Sequence, residues 1–337
     1  MPTLQDVAEL AGVSKATVSK VLSNTPYFTE ETRKKVMVAV EKLDYHVNFA
    51  ARALSSGKTK IIAVTFPYVF DPIFKDPHVM TILEGIESVL SPAAFNILLT
   101  TPQLTEHGCD IAYSQLLRSG YLDGVIAIDN VPIASVAAEA KLAGLPSVVI
   151  GYHTASSSVR CDDYLGAMQL VEHLLDLSHK QIGIITPPEE DNLAIAERLR
   201  GIEAGAQKHH RKLSDFQIAL GDFSIQSGAQ AADDLLSQHP NITGIIALND
   251  RMAIGAIQYI HNQGRNVPND ISVVGFDNLP ITEVFHPPIT TIDQHGQQLG
   301  STAAELLIAH IDDPLNSSHV VLPPTFIERA STKKPRN

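Results

Sequence analysis

A chain of 337 residues with 44% hydrophobic and 18% charged content has room for two or three packed domains and is too apolar for a disordered or solvating segment. Its two cysteines, Cys109 and Cys161, are too few for a disulfide framework and lack metal-ligand spacing. No run of eighteen apolar residues and no basic-then-apolar leader appears, so a cytoplasmic chain without a membrane partner is expected. The net charge of -12 is uneven: residues 1–58 carry +2 and the rest -14, a mildly basic head on an acidic body, which is compatible with local binding to nucleic acid.

Thr3 precedes an apolar periodic stretch and Asp6 follows three residues later, a capping-box pattern that predicts a helix over about Leu4 to Ala11. Gly12 supplies the left-handed conformation that stops this helix. Ser14 can cap the next one by accepting from a first-turn amide, with Thr17 the expected donor. Leu4, Val7, Ala8 and Ala11 fall on one helix face and Val18, Val21 and Leu22 on another, so the pair can share a small core with Lys15, Ala16, Ser19 and Lys20 outward. Thr29, Glu30 and Glu31 announce a third helix with Val36, Val40 and Leu43 at helical spacing. Two short helices around a glycine-bearing turn can place one helix in the DNA major groove, while an ordinary three-helix subdomain remains open on caps and period alone. The alanine-rich stretch from Asn48 to Gly57 reads either as a linker or as a helix that is marginal in water.

From Lys60 the texture becomes short β-branched runs (Ile61 to Phe66, Asn96 to Leu99, Gly124 to Ile128, Ser147 to Ile150, Gln181 to Ile185, Gly244 to Leu248, Ile271 to Val274). These alternate with amphipathic stretches (Met80 to Leu90, Ala167 to Leu177, Ala194 to Lys208, Ser227 to Leu236, Met252 to Asn262). The alternation predicts parallel sheets clad on both faces, with ligand at the carboxyl ends of the strands. The tail Ala330 to Asn337 is expected to fray.

The run from Thr3 to Leu22, with Thr-Leu-x-Asp-Val-Ala, Ala-Gly-Val-Ser and Thr-Val-Ser, resembles the headpiece of the lactose-repressor and galactose-repressor (LacI/GalR) family. The resemblance extends through Asp71 to Phe74, Gly85 to Glu87, Arg198 to Ile202, Ala247 to Asp250, Val274 to Asn278, Pro288 to Ile292 and Glu328 to Thr332. It implies an all-α helix-turn-helix headpiece (1–46) with a hinge helix (47–58). An α/β periplasmic-binding-protein-like core of two doubly wound lobes follows (60–332), then a tail (333–337). The first lobe is expected at about 60–159 and 291–318, the second at 160–290 and 319–332. Lys15, Ala16 and Lys20 would face base edges, and Thr3, Ser14, Thr17, Ser19, Asn48 and Arg52 belong to the same DNA-facing set. Leu54 would wedge into the minor groove. Lys20 stands where an arginine is commoner; a lysine brings a point charge instead of a fork for guanine, so an unusual operator half-site is expected. Val47 replaces a proline often found where the hinge begins.

In the body, Arg198, Asn249 and Asp277 offer fixed donors and acceptors for adjacent hydroxyls, and Phe74 and Phe276 an apolar wall. Capping, a solvated charge and a strand-end turn are the plainer readings of the three polar residues. The resemblance makes them effector-binding positions for a sugar or sugar phosphate, while a purine or a phosphoprotein corepressor remains the alternative. The expected molecule is a homodimeric repressor on double-stranded, pseudopalindromic operator DNA, with no cofactor, metal or catalytic residue. Fourteen histidines show no HExxH spacing, and no GxSxG elbow or phosphate loop occurs, so an enzyme is disfavoured. A soluble sugar receptor without a transcriptional role would leave the headpiece unexplained.

Overall fold

The structure, a computed structural model, describes residues 2–22, 28–46, 58–66, 76–105, 108–128, 136–153, 156–189, 192–313 and 317–336. It divides into two compact units, residues 1–59 and 60–337.

In the first unit α1 (Leu4–Ala11), α2 (Lys15–Leu22) and α3 (Glu30–Lys42) close over Val7, Ala8, Val18, Val21, Val36 and Ala39, with Leu4, Ala11, Leu22, Val40 and Leu43 half-buried around them. The caps are those expected. Asp6 N–H donates to Thr3 Oγ1 and Thr3 N–H to Asp6 Oδ2 at 2.7 Å, which holds the Asp6 carboxyl below its ordinary range. Gly12 sits at φ 67, where a Cβ would be strained. Thr32 N–H donates to Thr29 Oγ1 at 3.2 Å, opening α3 with Glu30 and Glu31 in its first turn.

The second unit contains two parallel sheets. The first has six strands, β1 (Ile61–Thr65), β2 (Asn96–Thr100), β5 (Gly124–Ile128), β6 (Ser147–Ile150), β7 (Ser157–Cys161) and β13 (His319–Leu322), in the order β13-β7-β6-β5-β1-β2. A small antiparallel ladder, β3 (Leu104–Thr105) with β4 (Gly108–Cys109), lies outside it. Alternation along β1 explains its two-sided cladding. Ile62 and Val64 face α4 (Pro77–Leu90) and α12 (Gly296–Asp312), while Ala63 faces α5 (Ile111–Leu117) and α6 (Val136–Leu142). The second sheet, β8 (Ile182–Thr186), β9 (Gln217–Leu220), β10 (Gly244–Ala247) and β11 (Ser272–Val274), runs β11-β10-β8-β9. It is covered by α7 (Asp163–Asp176), α8 (Leu193–Lys208), α9 (Ile225–Gln238) and α10 (Asp250–Asn262), and α11 (Ile281–Val284) follows β11.

The lobes are joined by three passages of chain: Cys161 into α7, β12 (Thr291–Asp293) into α12, and Leu322 into β14 (Thr325–Ile327), with β12 and β14 paired antiparallel. This corrects the expected division at 318. His319 to Leu322 pair with Ser158 to Cys161 in the first sheet because Val320 and Leu322 pack into that lobe's core. The tail is corrected as well. Ser331 is fully buried, its hydroxyl donates to Val273 O at 2.6 Å, and Lys333 N–H donates to Ser272 Oγ at 3.0 Å, so the chain is pinned at least to Lys333. Cys161 is buried and Cys109 half-buried, as expected of lone thiols. Among the described residues no helix is long and apolar enough to cross a membrane, and no cluster of His, Cys, Asp or Glu is arranged to hold a metal.

Candidate DNA-reading helix and effector cleft

The first turn of α2 is fixed by its cap. Thr17 N–H donates to Ser14 Oγ at 3.1 Å and the two hydroxyls lie 2.8 Å apart, so Ser14 and Thr17 are engaged with each other at the helix start. Thr3 is held in the same way by Asp6. Val18 and Val21 turn inward, which leaves Lys15, Ala16, Ser19 and Lys20 exposed on the other face of a helix that contains no acidic residue. The positive end of the helix dipole adds to Lys15 there. Asn48, Arg52, Leu54 and Phe74 lie outside the described residues.

In the second unit the polar centre lies where the strands end and the lobes meet. Arg198, on the first turns of α8, is 5% exposed. Its Nε donates to Asp163 Oδ1 at 2.8 Å, its Nη1 donates to Leu248 O at 2.5 Å, and its guanidinium lies 3.7 Å over the Phe276 ring. Gly201, one turn on, lets α8 approach α7: an added Cβ would collide with the Tyr164 carbonyl and push Arg198 away from Asp163. Tyr152 OH donates to the other Asp163 oxygen at 3.2 Å, and burial together with the Asp163 charge pushes this phenol well above its usual range. Asp163 is 2% exposed, so the ion pair is buried and hydrogen-bonded on both sides.

Asp277 sits at φ 123, an uncommon conformation for a residue with a Cβ, fixed by donation of its N–H to Ile292 O at 2.9 Å. Gln294 Nε2 donates to its Oδ1 at 2.5 Å. Burial pushes the carboxyl up to about 6; His78 on α4 and Arg198 oppose that rise, while Asp76 adds to it. Asp250, fully buried behind it, accepts from Leu279 N–H at 2.8 Å and from Thr291 Oγ1 at 2.6 Å, and burial plus the Asp277 charge hold it well above the usual carboxylate range.

The structure brings Arg198 and Asp277 together and gives the other two expected residues different work. Phe276 is 0% exposed, because its side chain turns under Arg198 and into the core of the second lobe; it supports the guanidinium and is not an apolar wall for a ligand. Asn249 is 3% exposed and caps α10, its Oδ1 accepting from Met252 N–H at 2.9 Å and its Nδ2 donating to Phe223 O at 3.1 Å. The plainer reading of Asn249 thus describes its side chain, which fixes the turn after β9. Sequence reasoning missed Asp163, Gln294, His78 and the half-buried Phe223, which stands at φ 68 just beyond the carboxyl end of β9. Asp162-Asp163 before a helical stretch was the one available signal, and it reads equally well as a helix cap.

Comparisons with known proteins agree with this architecture. The family model "Bacterial regulatory proteins, lacI family" matches residues 3–48 and "Periplasmic binding protein-like domain" matches residues 171–332. The chain is 30% identical to the HTH-type transcriptional repressor PurR of Aliivibrio fischeri (strain MJ11), over 98% of each chain. It is also 30% identical to the ribose operon repressor of Bacillus subtilis (strain 168), over 99% of each. Among solved structures, the lac repressor dimer bound to operator and the anti-inducer ONPF superposes with a TM-score of 0.86 at 27% identity, covering 98% of this chain and 99% of that one. These relatives are transcriptional regulators, not enzymes.

Proposed function

We propose that this chain, which belongs to the LacI family of bacterial regulatory proteins, is a repressor that binds a pseudopalindromic operator as a homodimer and answers to a small effector in the cleft between its lobes. The observation that carries the reading is α2: capped by Ser14, anchored by Val18 and Val21, and presenting Lys15, Ala16, Ser19 and Lys20 from a unit with its own core. The likeness to an operator-bound repressor supports it. Arg198 and Asp277 are the direct effector contacts, Asp163 and Phe276 hold Arg198, and Gln294 orients Asp277. The adjacent hydroxyls of an effector of the sugar class suit this pairing of donor and acceptor.

Control follows from differential binding. An effector that bridges the lobes favours one lobe arrangement, so effector and operator must change each other's affinity by the same factor. The test measures operator affinity by fluorescence anisotropy with and without effector, and effector affinity by calorimetry with and without operator. Equal factors are expected; an effector that moves operator affinity with no reciprocal change sinks the reading.

Effector binding should fall with acidity. Asp277 accepts hydroxyls as a carboxylate, and its pKa near 6 leaves it mostly ionised at pH 7.5 but about one-tenth ionised at pH 5, so affinity should drop about tenfold between these values. Asp76, His78, Arg198, Gln294 and Asp250 are the groups acting on it. Calorimetric titration in Asp277→Asn should show weaker binding and a flat profile over the same range.

The dimer is supported by apolar side chains exposed in the single chain, among them Leu220 at 67% and Val284 at 77% on the second lobe. The variant Val284→Asp should shift sedimentation toward monomer and weaken operator binding in parallel. An unchanged dimer would remove Val284 from the interface.

A further inference from the structure

We propose that the cleft selects an uncharged polyhydroxylated effector, a sugar or sugar alcohol, over its phosphate esters; this rests on the cleft being the effector site. Helix N-termini are the usual anion seats of α/β folds, since their unpaired amides and the positive end of the dipole point at the ligand. Here the helices that follow the strands carry the chain's own acids at that place. Asp76 caps α4, accepting from His78 N–H at 3.0 Å. Asp162 caps α7, accepting from Leu165 N–H at 3.0 Å, and Asp163 is the helix's first residue. Asp250 is the first residue of α10, behind the Asn249 cap. Asn192 on α8 and Ser224 on α9 take first-turn amides with neutral groups. Two of these five N-termini carry negative charge before a ligand arrives, and in the other three neutral groups already take the amides nearest the cap; α12, which opens after His295 without a side-chain cap, is packed at Gly296 against Thr81 of α4.

The buried cation offers an anion no better seat. The charge of Arg198 is matched by Asp163 at 2.8 Å, and Asp277 is close enough to raise the Arg198 pKa further. A phosphate on the remaining guanidinium edge would sit beside the Asp277 carboxylate. The carboxylate then opposes the attraction of the guanidinium, and Asp163 has already matched that cation, so the net gain for an anion is small. An uncharged diol meets no such cost. One hydroxyl accepts from Arg198 Nη2 and its neighbour donates to Asp277 Oδ2, two atoms that have no hydrogen-bond partner within the protein among the described residues. Gln294 holds Asp277 Oδ1, and His78 approaches the same carboxyl from the first lobe.

The experiment uses the full chain, titrated calorimetrically with ribose, glucose, galactose, cellobiose and mannitol, with ribose 5-phosphate and glucose 6-phosphate, and with hypoxanthine; operator affinity is read in parallel. At least one uncharged sugar or polyol should bind, at least tenfold more tightly than any phosphate ester tried. Asp76→Asn, which keeps a capping side chain, should narrow the ratio between sugar and phosphate at least threefold. A phosphate ester that binds as well as the sugars, binding of hypoxanthine alone, or binding of nothing in the panel overturns the inference. A phosphate ester that binds and shifts operator affinity overturns it while leaving effector control intact. An uncharged sugar that binds without moving operator affinity supports it and sinks effector control instead.

Discussion

Replacing Arg198 with methionine should lower the stability of the second unit by about 3–5 kcal/mol, because it strands Asp163 as a buried charge without a cation. For a unit of this size that corresponds to a fall of roughly 6–20 °C in Tm. A second substitution separates this cause from weakened packing, because removing the stranded charge relieves the first and leaves the second unchanged. Adding Asp163→Asn to it should recover most of the loss at pH 7.5, since a neutral amide can still accept from Tyr152 OH. If Arg198 is the effector's donor, as proposed, effector binding should not recover in the double variant. A loss below about 1 kcal/mol, or one that Asp163→Asn does not recover, would show that the pair adds little to the lobe.

The same pair shows where sequence reading stops. Caps and turns are local, and Thr3, Asp6, Gly12, Ser14 and Thr29 each do in the structure what their spacing implies. Strands β5 and β6 coincide with their β-branched runs residue for residue. The expectation weakens where burial is one-sided or polar. β7 is Ser-Ser-Val-Arg-Cys, β13 is an edge strand, and the 17-residue α12 opens on Gly-Gln-Gln after His295, which offers no side-chain cap. Neither strand carries an apolar period strong enough to mark it, whereas α12 has Leu299, Ala303 and Leu307 at helical spacing and lacks only a start signal. In the cleft, the motifs locate Arg198 and Asp277, yet their partners are tertiary: Asp163 meets Arg198 across 35 positions, and Gln294 meets Asp277 across 17. Whether a phenylalanine faces ligand or core depends on how a strand end turns. The turn at Asp277 sends Phe276 inward. That direction cannot be read from composition.

On the proposed DNA-reading helix, Lys15→Ala should weaken operator binding by about 30-fold to 10⁴-fold if Lys15 reads a base, because a hydrogen bond to a base edge is worth about 1–3 kcal/mol and the proposed dimer forfeits it in both half-sites. Lys15 is exposed and outside the small core of Val7, Val18, Val21 and Val36, so the headpiece should fold normally. The salt dependence tells what Lys15 touches. If Lys15 neutralises a phosphate in each half-site, its removal lowers the slope of log affinity against log salt by about 1.8 and weakens all duplexes alike. If it reads a base, non-operator DNA is spared. Lys35 on α3, ion-paired to Glu31 at 2.8 Å and also exposed, is the matched control, and its alanine variant should change affinity less than threefold. Lys20→Arg tests specificity instead of strength. The lysine brings one point charge, whereas the guanidinium fork can pair with guanine O6 and N7 together. Binding-site selection with this variant should therefore gain a guanine at one symmetric position of each half-site, with the rest of the selected operator unchanged. An identical selected sequence for both proteins would mean that Lys20 rests on the phosphate backbone, and the operator would then be set by Lys15, Ala16 and the shape of the DNA.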